Sequence, residues 1–389
     1  MGNIVDYLSW RGDIPFEIDH FNRVDALILS ELTYTDFSEI VPSVGDNVSI
    51  SLAEARQAFF EKYTLDDLMD LGSTARYAPL LMDDLIDSYR FKDLRLSNYV
   101  NEIDVENQSQ FSAITFSLDD NTDFVAYRGT DHTIAGWKED CNMSFLENTP
   151  GQLKAVEYLN LEADNGRKLF VGGHSKGGNF AVYASVFCKK EVQDRISFVY
   201  SNDGPGFRDN VLESEEYKYL LPRIKSTIPE QSVVGLLLGN KYHHMIVSSS
   251  AKGLSQHNPM TWQVIRNHFE EVPELSKSSL LIDNTVSNWL AELSEEDREA
   301  FIDSVFEPLT ANGTLSTDEI KSSVFSSVTG IYKYYKGMPK EQQQLMLEFS
   351  KILASEAKDN IVSEVKQGGK LAINYFRSER NNLANSPRE

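Results

Sequence analysis

The sequence predicts an α/β fold, a mostly parallel sheet in the middle of the chain with helices before and after it. Three observations predict it. Short runs of β-branched and aromatic residues recur between about residues 110 and 250, apolar positions on either side of that region fall at helical spacing, and a Gly-x-Ser-x-Gly turn joins one apolar run to a helix.

Across residues 1–90 the apolar positions Leu27, Leu29 and Leu32, then Leu65, Leu68 and Leu71, lie near helical spacing, which predicts an N-terminal helical segment packing on the core. The triplet Arg11-Gly12-Asp13 reads as a turn. Residues 91–265 form the predicted core. Runs at 111–117, 124–127, 169–171, 196–200, 233–238 and 245–247 read as strands. Continuous apolar strands with helices between them indicate a sheet covered on both faces. From about residue 266 the strand pattern stops. Val286, Leu290, Leu293, Phe301 and Val305 follow helical spacing, and Ser294 with Asp297 and Ser316 with Glu319 have the form of capping boxes. Residues 266–389 are therefore predicted to be a helical accessory domain, whether lid, oligomer surface or partner platform.

Of the 389 residues, 41% are hydrophobic and 25% charged, a globular composition. The net charge of -22 argues against nucleic-acid binding, which rewards clustered Lys and Arg. It also opposes broad adhesion to anionic membranes, while leaving transient lipid contact through a local apolar surface open. With only Cys141 and Cys188, no disulfide framework is expected, and Cys188 reads as a buried small hydrophobe. The start of the chain lacks a basic region followed by an apolar run, and Asp6 stands where a myristoylation motif has Ser or Thr. No apolar run approaches the roughly 18 residues of a membrane span. The expectation is a soluble cytoplasmic protein, with oligomeric state left open.

The strongest chemical signal lies at residues 169–184. An apolar strand, Leu169-Phe170-Val171, leads into Gly173-His174-Ser175-Lys176-Gly177, and an Ala-, Val- and Tyr-bearing helix follows. Three fixed positions recur by chance in roughly one chain in ten of this length, so the context carries the assignment. A nucleophilic serine must project from a tight strand-to-helix turn, and small flanking residues let the backbone bend that sharply. The following helix N-terminus favours developing negative charge. These features predict an α/β-hydrolase core with Ser175 as nucleophile. A merely structural glycine turn is the alternative.

Ser175 needs a base. His174 is its neighbour, but adjacent side chains diverge on such an elbow. His20 and His268 lie outside the strand-rich core, and His132 sits in the loop after Arg128-Gly129, bordering the expected substrate position. Nucleophile, acid, histidine is the chain order for this fold, which leaves His243, His244 and His257. The adjacent pair lacks further metal ligands at suitable spacing, so no metal site is expected.

Two blocks, Val125-Ala126-Tyr127-Arg128-Gly129-Thr130 with Trp137-x-x-Asp140, and Gly173 to Ala184, resemble the class 3 (fungal-type) lipases. Asp203-Gly204-Pro205-Gly206-Phe207 and Gln256-His257-Asn258-Pro259 resemble signatures of a narrower bacterial lipase-like family of unknown function. The specific match spans about residues 110–265, and the opening residues resemble the narrower family less diagnostically. The resemblance implies that Thr130 helps form an oxyanion hole and that Asp140 orients it, with the Lys176 backbone N–H as second donor. It also favours His257 as base. A strand-ending turn is the other reading of Arg128-Gly129-Thr130.

The acid is less determined. Class 3 lipases take it after the strand following the one that ends at Tyr200, a position that falls near Gly239-Asn240, where no carboxylate stands. Asp203, at the earlier strand end, is therefore preferred, with Asp209 second and a turn-capping role for Asp203 as the alternative. Lys176 replaces the Leu common in class 3 lipases. The helix dipole opposes a cation there, so it either pairs with a substrate or protein carboxylate or is a solvated surface lysine.

The resulting expectation is a serine hydrolase of carboxylic esters, a lipid or lysophospholipid among them, with no cofactor. A thioesterase, a peptidase and a non-catalytic binding module that kept the elbow are the competing readings.

Overall fold

A computed structural model describes residues 2–69, 76–131, 134–161, 166–277, 279 and 280. The capping boxes at Ser294 and Ser316, and the helical pattern from residue 281 onward, lie outside these residues, as do Leu71 and His132.

The N-terminal segment is helical, as its spacing predicts. It contains α1 (Ile4–Arg11), α2 (Arg23–Leu32), α3 (Leu52–Lys62), α4 (Leu65–Met69) and α5 (Leu81–Ile86), with a two-residue strand β1 (Ile50–Ser51) inserted. Asn3 with Asp6, Asn22 with Asp25 and Ser51 with Glu54 close reciprocal capping boxes at the starts of α1, α2 and α3, satisfying N–H groups that have no partner inside the helix. Gly12 of the Arg11-Gly12-Asp13 triplet is the C-cap of α1, and Arg11 pairs with Asp19 at 2.6 Å.

Among the described residues the main sheet has eight strands in chain order: β1, β2 (Arg95–Asp104), β3 (Ser109–Ser117), β4 (Thr122–Tyr127), β5 (Lys168–His174), β6 (Ile196–Asn202), β7 (Ile224–Pro229) and β8 (His244–Val247). Pairing is antiparallel from β1 to β4 and parallel from β4 to β8. This is the α/β-hydrolase arrangement that the elbow implies.

Alternate residues of the central strands enter two separate cores. Phe124, Ala126, Phe170 and Tyr200 join the cluster that contains Leu27 and Leu29 of α2, whereas Val125, Tyr127, Val171 and Val199 join the cluster with Phe180 and Val182. That period-2 division is the signature of a sheet buried on both faces. α6 (Ile134–Asn142), α7 (Pro150–Leu161) and α8 (Lys176–Phe187) complete the second layer, with α8 against β4, β5 and β6. Helix α2 lies against the same three strands from the first layer, so the N-terminal segment shares its core with the sheet.

Three sequence expectations need correction. Residues 233–238 are not a strand: Val234–Leu236 form a 3-10 turn that directs the Gly235 N–H at the Asp203 carboxylate. Strands β2 and β7 were not foreseen. Strand backbone also continues past residue 266, in the hairpin of β9 (Val264–Ile265) and β10 (His268–Phe269). Among the described residues no helix is long and apolar enough to cross a membrane.

Register fixes where the site is built. Tyr127 pairs with Gly173, His174 with Asn202, and Asn202 with Thr227. The segments leaving β4, β5, β6 and β7 therefore open at one edge of the sheet, the carboxyl edge where open α/β sheets place their sites.

Candidate active site

Ser175 occupies the turn from β5 into α8 with φ 57° and ψ -132°. A non-glycine residue at positive φ carries strain of about 1–3 kcal/mol and persists where the surroundings over-determine it. Here the surroundings are very close backbone. A Cβ on Gly173 would collide with the backbone of Gly177, and one on Gly177 with the carbonyl of Tyr127. These two glycines let the strand end, the elbow and the helix start meet, while Ser175 N–H donates to the Asn202 carbonyl at 2.9 Å.

His257 ends a 3-10 turn, Gly253–His257, in the loop that follows β8. Its Nε2 lies 2.9 Å from Ser175 Oγ and its Nδ1 lies 2.7 Å from Asp203 Oδ2. Asp203 follows β6, has no solvent exposure, and has φ 48°. Its other oxygen accepts from Ser232 Oγ at 2.5 Å and from Gly235 N–H at 3.1 Å. The carboxylate is thus held by three donors, and the imidazole stands between an acceptor and a hydroxyl. With Nδ1–H committed to Asp203, Nε2 is free to take a proton.

His244, His20 and His268 have other partners. His244 Nδ1 lies 2.7 Å from Ser226 Oγ, and burial pushes its pKa down to about 4. His20 and His268 contact the carbonyls of Phe16 and Phe269. Asp209 is exposed at the start of a short helix. The strand after β6 is β7, so the carboxylate at that next strand end is Glu230, not the empty position near Gly239-Asn240 expected from sequence. Glu230 contacts Gln256 Nε2 at 3.4 Å, while the imidazole meets Asp203.

Thr130 leaves β4 beside the elbow, and its hydroxyl donates to Asp140 Oδ2 at 2.5 Å. Burial raises the Asp140 pKa to about 6, against the lowering influence of the Lys176 charge and the Thr130 hydrogen bond. As the first residue of α8, Lys176 has an N–H with no intrahelical acceptor. Its side chain is not a solvated surface group. Lys176 Nζ lies 3.0 Å from Glu139 Oε2 with both side chains fully buried, and Gln110 Oε1 accepts at 3.2 Å. Glu139 also accepts from the N–H groups of Gly151 at 2.7 Å and Gln110 at 3.1 Å. Adjacent residues of α6 thus engage the segments after β4 and β5. The cation opposed by a helix dipole signalled a partner, but sequence did not identify Glu139.

His174 diverges from Ser175 as expected, yet it reaches the site by another route. Its Nε2 lies 2.9 Å from the His257 main-chain carbonyl.

A family model described as Mbeg1-like matches residues 85–307. Among solved structures, a Rhizomucor miehei lipase propeptide complex aligns at 17% identity with a TM-score of 0.31, covering 40% of this chain and 57% of that one. M37 lipase aligns at 14% identity and TM-score 0.35, covering 56% and 70%. Lipase II from Rhizopus niveus aligns at 15% and 0.31, covering 64% and 95%. This chain spans only a little over half of the first of these proteins. No curated protein matches it. The family match extends over more than half of the sequence, and the chain belongs to the Mbeg1-like family.

Proposed function

We propose that the protein is a serine hydrolase that cleaves carboxylic esters by acyl transfer, with lipid or lysophospholipid esters as its substrate class. One observation carries this reading: His257 lies within hydrogen-bond reach of Ser175 Oγ through one ring nitrogen and of buried Asp203 through the other. That relation converts a weakly acidic hydroxyl into a nucleophile.

In the first half-reaction Ser175 Oγ bonds to the ester carbonyl carbon while His257 Nε2 takes the hydroxyl proton. The carbonyl electron pair moves onto oxygen, where Thr130 and the Lys176 N–H stabilise it. The intermediate collapses, the alkoxy group leaves with the proton from His257, and the acyl group remains on Ser175. Water then enters, gives a proton to His257, and adds to the acyl carbon. Release of the acid returns the proton to Ser175. Asp203 keeps Nδ1–H in place and favours the imidazolium that forms in each half.

Fluorophosphonate labelling of the purified protein tests the reading, with Ser175→Ala alongside. Labelling of the wild type alone, followed by turnover of esters of graded acyl length, supports it. A folded wild type that neither labels nor turns over ester, with and without detergent or lipid, would replace it with a binding role.

A further inference from the structure

We propose that Glu31, Tyr34 and His174 form a second, buried polar relay that positions the base His257 through its main chain. The inference rests on the ester-hydrolase reading and extends the site into the N-terminal segment.

The proton positions follow from the partners. A carbonyl oxygen only accepts, so His174 Nε2 carries a hydrogen and donates to the His257 carbonyl at 2.9 Å. Nδ1 is then bare and accepts from the Tyr34 hydroxyl at 3.1 Å. Glu31 Oε1 stands 3.5 Å from the same Nδ1, is buried, and has no hydrogen-bond partner among the described residues. Burial lowers the pKa of His174 well below its ordinary value and raises that of Glu31 to about 8. At neutral pH the relay is therefore an uncharged imidazole facing an uncharged carboxylic acid.

Neutrality matters because the two imidazoles lie against one another, with centroids 4.6 Å apart and planes tilted by 35°. His257 becomes positive during the reaction, and a second charge on His174 would oppose it. Position matters as well. The loop bearing His257 is held by donors to two consecutive carbonyls, the Trp262 indole to Gln256 at 2.7 Å and His174 to His257. Tyr34 also presses on the turn after β4, where a Cβ on Gly129 would collide with its hydroxyl.

Among the described residues, the titratable groups around the relay are few. Glu31 faces His174 at the end of β5 and Tyr34 just past its own helix, while Tyr34 also experiences Arg128 and Asp131 beyond β4 and Asp140 of α6. Loss of the Glu31 proton buries a charge beside a bare ring nitrogen. The Tyr34 hydroxyl is drawn to that charge, and the His174 donor shifts away from His257.

Two measurements test the relay. The first is ring-nitrogen NMR of the full chain between pH 5 and 9.5, which needs no turnover. The resonances of His174 and His257 are expected to inflect near pH 8, with that inflection absent in Glu31→Gln; no such inflection in the wild type, or one unchanged in Glu31→Gln, overturns the proposal. The second is ester kinetics. His174→Leu is expected to lower kcat about 10–100-fold, the scale set by small misplacements, with KM within about twofold. His174→Gln, which keeps a donor at a similar reach, is expected to recover most of the loss. A folded His174→Leu with wild-type kcat also overturns the relay. A wild type that labels and turns over, with unaltered variants, defeats only this inference. An inert wild type defeats the ester-hydrolase reading.

Discussion

Lys176 Nζ lies 3.0 Å from Glu139 Oε2, and neither side chain reaches solvent. The lysine directly after Ser175 is thus tied to α6, which also carries Asp140 against Thr130. The sequence alone leaves a substrate carboxylate, a protein carboxylate or solvent as its partner. The buried ion pair selects the second.

Breaking such a pair from one side strands the other charge, at about 3–5 kcal/mol. Glu139→Ala also removes the acceptor of two main-chain N–H groups, so it is expected to lose stability in that range. Lys176→Met is expected to lose less, because Glu139 keeps the Gln110 and Gly151 donors. Urea unfolding measures both. Because Nζ is enclosed, Lys176→Met should alter the turnover of anionic and neutral esters alike. Selective loss of anionic substrate would point instead to a substrate-facing lysine.

Asp203 and Glu230 occupy successive strand ends, but His257 Nδ1 faces Asp203. Asp203→Asn is expected to lower kcat by about 10³–10⁴-fold, since an amide disturbs the tautomer that leaves Nε2 able to accept a proton. Glu230→Gln is expected to stay within about twofold of wild type. Steady-state ester kinetics on the two variants assign the acid, and the reverse order would move the role to Glu230.

The elbow was legible because its constraint is local. Gly173, Ser175 and Gly177 sit within five residues, between an apolar strand and a helix, and steric closeness dictates the two glycines. Asp203 was legible as a strand end, although the apolar pattern misplaces the strand that follows it. β7 reads Ile-Lys-Ser-Thr-Ile-Pro, and its buried Ser226 and Thr227 are satisfied by Arg23 and His244 rather than by apolar packing. A hydrophobicity pattern passes over such a strand. Residues 233–238 failed the other way, being apolar yet folded so that a backbone N–H serves Asp203. Glu139 and Glu31 were not legible because their partners come from distant segments, and α2 is buried over nearly its whole surface, leaving no polar face to mark Glu31 as unusual.

The Thr130 hydroxyl has one hydrogen, and it is directed to Asp140. With that hydrogen on Asp140, the hydroxyl holds Thr130 in place, and in the proposed reaction the donor left for the oxyanion is its main-chain N–H. Thr130→Val is expected to reduce kcat about 10–100-fold with little change in KM, below the roughly 10²–10³ cost of removing a direct donor. Thr130→Ser should retain most activity. Phosphonate labelling rates follow the same order if the hydroxyl acts on the transition state; a KM effect alone would assign Thr130 to ground-state binding.

Glu31 also gives stability a pH dependence with a definite sign. Its folded pKa is raised to about 8 from an ordinary 4.5 by burial, so the folded chain holds a proton that the unfolded chain releases. Its contribution is complete below about pH 4.5, is lost as pH rises to about 8, and is constant above that. The loss amounts to several kcal/mol, because each tenfold difference in proton affinity is worth about 1.4 kcal/mol. Glu31→Gln has no proton to release, so the wild type should lose more unfolding free energy than the variant between pH 5 and 8.5. Self-repulsion from the net charge of -22 acts on both proteins and largely cancels in the comparison. Denaturant titrations at the two pH values measure the difference. Parallel losses would mean that Glu31 is already ionised in the folded protein, and His174 would then face a buried carboxylate at neutral pH.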